Sequence, residues 1–194
     1  MPLARGNQWI YVFEKATVDP DGAVTEEGKG EMTWRVTNTN EVSEGVEGTI
    51  QVMMDGEVKD QQIWRVDSKG VFQIQGGLDP ARYIPPQPVI KFPVKTGASF
   101  EWTGTGAIAI GNGRQSTKTK ILGAEEVDTE SSRVSAIAFE TYGDFGSGEM
   151  SGKTFATAWF QPGIGLVRYR AEVAMGALTG ITTLKLKSTN INQP

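Results

Sequence analysis

Gln161-Pro162-Gly163-Ile164-Gly165-Leu166-Val167-Arg168-Tyr169-Arg170 joins two runs that both read as strands, Lys153 to Phe160 and Gly165 to Val173. Proline holds φ at about −65° and glycine tolerates φ > 0, so Pro162-Gly163 is a type II turn signal. Gly163 takes the position that this turn reserves for glycine. Gly165 opens the next strand, where a glycine marks a bulge. The turn lays the second run beside the first. Pro162, Gly163 and Gly165 are therefore read as a structural hairpin, which is architecture and not chemistry.

The rest of the chain repeats this grammar. Glu31 to Asn38 alternates Met32, Trp34 and Val36 with Thr33, Arg35 and Thr37, the period-2 pattern of a strand with one buried face. Further runs lie at 8–18, 49–55, 58–66, 71–75, 107–110, 116–122, 133–141 and 181–187, separated by turn signals such as Asp19-Pro20-Asp21-Gly22 and Asp55-Gly56. The stretch 143–152 reads as a Gly-rich loop. No window keeps a helical apolar stripe, and 124–130 allows one or two helical turns at most. Lys118 with Lys120, and Lys185 with Lys187, put charges two apart on one strand face, the device that guards edge strands.

Two segments stand out. The run 76–88 (GGLDPARYIPPQP) holds two glycines and four prolines. That content excludes a central strand and points to a surface crossover or a lid. Pro2-Leu3-x-x-Gly6-x-x-Trp9-x-Tyr11 is echoed 91 residues later by Pro93-Val94-x-x-Gly97-x-x-Phe100-x-Trp102. The spacing suggests two pseudo-repeated halves, about 1–88 and 89–194, within a single domain over 1–194.

Composition excludes more than any motif suggests. The 194 residues are 38% hydrophobic and 22% charged, in keeping with one sizeable core. The net charge is −4 with no basic patch, which disfavours nucleic acid as a partner. There is no Cys and no His, so thiolate chemistry, a Ser-His-Asp triad and the usual zinc ligands are all missing. No apolar run reaches the ~18 residues of a membrane helix, and the chain opens without a leader on Met1-Pro2-Leu3.

Motifs that suggest cofactors lack their context. Gly104-x-Gly106-x-x-Ala109 has no helix after it, and Gly152-Lys153-Thr154 leads into a strand. No catalytic residue, metal ligand or cofactor is expected. Large aromatics in strands are mostly core. Those able to line a concave pocket are Trp34, Trp64, Trp102, Trp159 and Tyr169, which form the candidate ligand-binding set.

Three elements carry a resemblance: Pro2-Leu3-x-x-Gly6-Asn7-x-Trp9-x-Tyr11, Phe92-Pro93-Val94-Lys95-x-Gly97-x-Ser99-Phe100-x-Trp102 and Ala158-Trp159-Phe160-x-Pro162-Gly163-Ile164-Gly165-Leu166-Val167-Arg168. Together they resemble a family of uncharacterised bacterial exported proteins and lipoproteins with an aromatic-x-Pro-Gly-[Ile/Val]-Gly-Leu-Val signature. The resemblance implies a large curved sheet akin to lipoprotein-carrier half-barrels, and an extracytoplasmic location in the cell envelope. It also implies peripheral membrane association through a removed N-terminal anchor.

The expected fold is all-β with little helix: a large curved antiparallel sheet of about ten or more strands forming an open or half barrel, with a β-sandwich as the alternative. The expected function is a non-catalytic binding module of the cell envelope for an apolar small molecule or lipid. A structural or protein-interaction module of a surface assembly is the second reading. A carboxylate or metal-dependent enzyme is the third.

Overall fold

The computed structural model describes residues 1–77, 81–108 and 111–191. The first six strands are β1 (Gln8–Val18), β2 (Val24–Val42), β3 (Gly45–Met54), β4 (Glu57–Asp67), β5 (Gly70–Gly76) and β6 (Ala81–Lys91). The second six are β7 (Ser99–Ile108), β8 (Gly111–Asp128), β9 (Arg133–Ser147), β10 (Met150–Gln161), β11 (Gly165–Met175) and β12 (Leu178–Thr189). Every strand pairs antiparallel with its neighbour in sequence, and β12 returns to pair with β1. The sheet is thus a closed meander barrel. All-β and curved are as expected, but the open or half barrel is corrected to a closed one, and the sandwich alternative falls with it.

Closure also corrects the role of the paired lysines, because a closed sheet has no free edges to guard. Lys118 instead meets Glu101 across the β7–β8 outer face at 3.1 Å, and Lys187 meets Glu31. The outer wall is therefore charged and the apolar face points in, the inverse of a barrel whose outer band faces lipid. Two further expectations change. Residues 124–128 continue strand β8, and 143–147 with 150–152 belong to β9 and β10 rather than to a loop.

The lower end of the barrel is plugged by the opening motif. Ile164 N–H donates to the Gln161 carbonyl at 3.1 Å, and Gly163 has φ of 80°, which is the type II turn read from the sequence. Gly165 follows at φ 109°, and Ile164, Leu166 and Val167 are buried. Two aromatics of β1, which only β12 separates from β11, clamp the turn from inside the barrel. Trp9 Nε1 donates to the Ile164 carbonyl at 2.8 Å, and the Tyr11 hydroxyl donates to the Leu166 carbonyl at 2.9 Å. Both rings are fully buried, and burial holds the Tyr11 hydroxyl well above the usual phenol range.

This geometry separates neighbouring substitutions. Gly163→Val puts a β-branched side chain at φ 80°, costing about 1–2 kcal/mol or more. Ile164→Val removes one buried methylene, about 0.5–1.5 kcal/mol. Thermal melts should rank Gly163→Val below Ile164→Val, and the reverse order would overturn this account of the turn.

The echoed openings form matching corners. Gly6 and Gly97 both have positive φ, 90° and 83°, and each closes a turn, Asn7 N–H to the Ala4 carbonyl and Ala98 N–H to the Lys95 carbonyl. Each glycine N–H then reaches the next strand, Gly6 to the Val36 carbonyl and Gly97 to the Ile121 carbonyl. A register shift follows in both places, between Val36 and Asn38 and between Ile121 and Gly123.

The proline-rich run holds the largest surprise. Residues 78–80 lie outside the described residues, but 81–91 form a wall strand, β6, against the expectation of a crossover or lid. The prolines act on the ladder rather than on the existence of the strand. Pairing with β5 lapses between Gln87 and Arg82, and among the described residues pairing with β7 is reduced to Ile84 opposite Thr105. Pro85, Pro86 and Pro88 have no N–H to give, so a full ladder is impossible there.

Side chains bridge this seam instead. The Trp102 Nε1 donates to the Pro85 carbonyl at 3.0 Å, and the Tyr83 hydroxyl donates to the Ala107 carbonyl at 3.0 Å. The two rings meet edge to face at 6.0 Å. Gly104 and Gly106, the false dinucleotide turn, are what let them in. A Cβ on Gly104 would lie 2.5 Å from the Trp102 ring, and one on Gly106 2.3 Å from the Tyr83 ring.

Candidate functional site

Above the plug the barrel is not filled. A cavity of about 540 Å³ runs up the interior from Leu166 and Leu184 toward the hairpins of the opposite rim, ending at Gly77 and Ile108. It exists because inward positions that hold large apolar side chains near the plug carry smaller or polar ones higher up. On β10 the inward series descends from Phe160 through Ala158 and Ala156 to Thr154. On β8 it passes from buried Ile121 to Thr119, Thr117 and Gln115.

The lining combines aromatic faces with uncharged polar groups. Trp34 stands between plug and cavity, in contact with Tyr11 at 5.4 Å and with Trp64 at 6.2 Å between ring centroids. Phe139 and Phe160 meet edge to face at 5.8 Å on the other wall. Thr119 and Thr141 share a hydroxyl hydrogen bond at 2.9 Å. Gln73, Gln87 and Gln115 add amides, and Asp60 is the one charged side chain among the described lining residues. Along β4 three inward side chains form a relay. Trp64 Nε1 donates to Gln62 Oε1 at 2.8 Å, and Gln62 Nε2 donates to Asp60 Oδ2 at 2.7 Å.

The candidate aromatic set divides. Trp34, Trp64 and Tyr169 line the cavity together. Tyr169 keeps some accessible surface because that surface faces the cavity, while burial raises its hydroxyl above the usual range. Trp102 is buried in the β6–β7 seam and is not among the lining residues. Trp159 is corrected: its indole N–H bonds Glu125 and its ring carries the Arg168 guanidinium at 5.2 Å, on the outer wall. Alternation with Thr154, Ala156 and Ala158 makes Phe160 the inward aromatic of β10.

Sequence reasoning missed Tyr83, Phe139, Phe145 and Phe160, and missed the polar lining altogether. One signal was available. In Asp60-Gln61-Gln62-Ile63-Trp64, the face that holds Trp64 also holds Asp60 and Gln62, polar groups where a filled core would need apolar ones.

Burial, with a contribution from the Asp60 charge, pushes the Tyr83 hydroxyl up to about 12. An unfolded tyrosine titrates near 10. A group raised in the folded state contributes stability that is complete below about pH 10 and is lost as pH climbs toward about 12. The melting temperature should therefore fall across that window, and Tyr83→Phe should reduce the slope. A flat profile up to pH 12, or an unchanged slope in Tyr83→Phe, would contradict it.

No known family profile matches the chain, and no curated protein matches its sequence. Solved structures do. A protein of Bacteroides fragilis NCTC 9343, described as exported and as having a YmcC-like fold, superposes with a TM-score of 0.54 over 97% of this chain and 98% of that one, at 15% identity. A protein of Parabacteroides distasonis described as a lipoprotein gives 0.46 at 13% identity, covering 96% and 97% of the two chains. The hypothetical lipoprotein YmcC of Escherichia coli K12 gives 0.40 at 8% identity, covering 92% and 87%. At these identities the first likeness speaks for the fold: the chain is similar end to end to a protein of YmcC-like fold.

Proposed function

We propose that this protein is a non-catalytic binding module of the cell envelope that holds one amphipathic small molecule inside its barrel. The observation that carries the reading is the cavity of about 540 Å³ in a barrel plugged at its other end. Interiors normally pack without voids much larger than a water, and a space of this size with aromatic walls and a few convergent polar groups is the form of a ligand site. The ligand has an apolar body for Trp34, Trp64 and Phe160, and hydrogen-bonding groups for the glutamine and threonine side chains. The likeness to a protein described as exported supports placing the chain outside the cytoplasm. Sheet closure supports an internal ligand over an assembly role, since it removes the edges by which sheets add partners.

Titration with the neutral fluorophore N-phenyl-1-naphthylamine tests this. One molecule should bind per barrel and quench indole emission. Ala156→Phe, which fills the cavity from β10, should abolish binding while leaving the barrel folded. Absence of binding, or binding that survives Ala156→Phe, would overturn the proposal.

A further inference from the structure

The Asp60 carboxylate is held on one side only. Its Oδ2 accepts from Gln62, whose own carbonyl oxygen is occupied by Trp64 Nε1, so the carboxylate cannot turn without breaking the relay. Its Oδ1 is buried and has no hydrogen-bond partner among the described residues. A shielded carboxylate oxygen without a partner is costly, and folded proteins satisfy such groups with a cation or a donor. Neither Lys nor Arg is among the described residues that line the cavity. Trp34, Trp64, Tyr83, Phe160 and Tyr169 line the same space, and aromatic rings attract positive charge at their faces, most strongly where water is excluded.

We propose that the ligand of this cavity carries a positively charged nitrogen, an alkylammonium group held by the charge of the Asp60 carboxylate and packed on the surrounding aromatic side chains. This rests on the binding reading above and names its ligand class. A neutral hydroxyl would satisfy the hydrogen bond but leave the charge uncompensated. A metal ion is a poorer fit. The neighbouring Gln62 oxygen is already engaged, and among the described residues no group of three or more His, Cys, Asp or Glu side chains is placed to hold one.

Choline and 3,3-dimethyl-1-butanol have the same shape and differ in charge, so calorimetric titration of the full chain with each isolates the charge. Choline should bind at least tenfold more tightly, and Asp60→Asn should erase that preference. Asp60→Asn should also melt no lower than the wild type without ligand, because it removes an uncompensated charge. Its far-ultraviolet circular dichroism should match that of the wild type, which certifies an intact barrel. Equal affinity for the two probes, no choline binding, or a preference that survives Asp60→Asn would overturn the inference. If the naphthylamine still binds in any of those cases, the binding function stands and only the ligand class falls. If it does not bind the wild type, both fall.

Discussion

Trp9→Ala is expected to be among the most destabilising single substitutions in the chain. The indole is fully buried and its N–H holds the Ile164 carbonyl at 2.8 Å. Truncating a buried tryptophan costs about 3–5 kcal/mol in lost transfer and cavity terms. The Ile164 carbonyl, stranded in an apolar plug, adds about 1–3 kcal/mol unless water reaches it. Against a total stability of about 5–15 kcal/mol this is a large share. For a chain of this length each kcal/mol moves the melting temperature by about 2–4 °C, so a fall on the order of 10 °C or more is expected. Trp159→Ala is the control: half-buried on the outer wall, it loses the Arg168 stacking, the Glu125 hydrogen bond and part of the indole's burial, and should cost clearly less than Trp9→Ala. If Trp9→Ala melts within about 2 °C of the wild type, the turn at 161–165 is not held as described.

The same contrast shows what the sequence could and could not disclose. The Pro162-Gly163 turn, the hairpin at Asp55-Gly56 and the inward face of Met32, Trp34 and Val36 were legible, because each depends on local backbone preference or on period-2 patterning. That Trp9 and Tyr11 would reach across to carbonyls 155 residues away was not, since nothing local records a long-range hydrogen bond. Closure was hidden for a related reason. An open and a closed curved sheet share one alternation, and they differ only in whether β12 finds β1. Trp159 was misplaced because it adjoins a second aromatic, Phe160, and alternation alone does not say which of two neighbouring aromatics faces inward. The cavity itself is a matter of volumes summed over facing strands. Only its polar walls, through Asp60 and Gln62 on the Trp64 face, left a trace in one dimension.

Trp102→Ala should be costly as well, but the damage should stay local. Its ring lies on Gly104 and its N–H donates to the Pro85 carbonyl, one of two side-chain hydrogen bonds across a wall that among the described residues otherwise has a single paired position, Ile84 with Thr105. Removing a buried indole again costs about 3–5 kcal/mol. Elsewhere in the barrel a full ladder would contain the lesion, as on β8–β9, where pairing runs from Arg114 to Asp128 with one register shift. At the seam the prolines have already removed the donors that could compensate. The energy should therefore appear as sub-global opening of β6 and β7, the least-tied part of the wall. Hydrogen exchange of Trp102→Ala should show faster exchange at 81–91 and 99–108, while β1, β11 and β12 keep wild-type protection. Because the seam lies beside the cavity-lining residues Tyr83 and Ala107, the same variant should speed both entry and release of N-phenyl-1-naphthylamine in stopped flow. Uniformly faster exchange around the whole barrel would mean that the seam is as strong as any other pair of strands, and that ligand reaches the interior by another route.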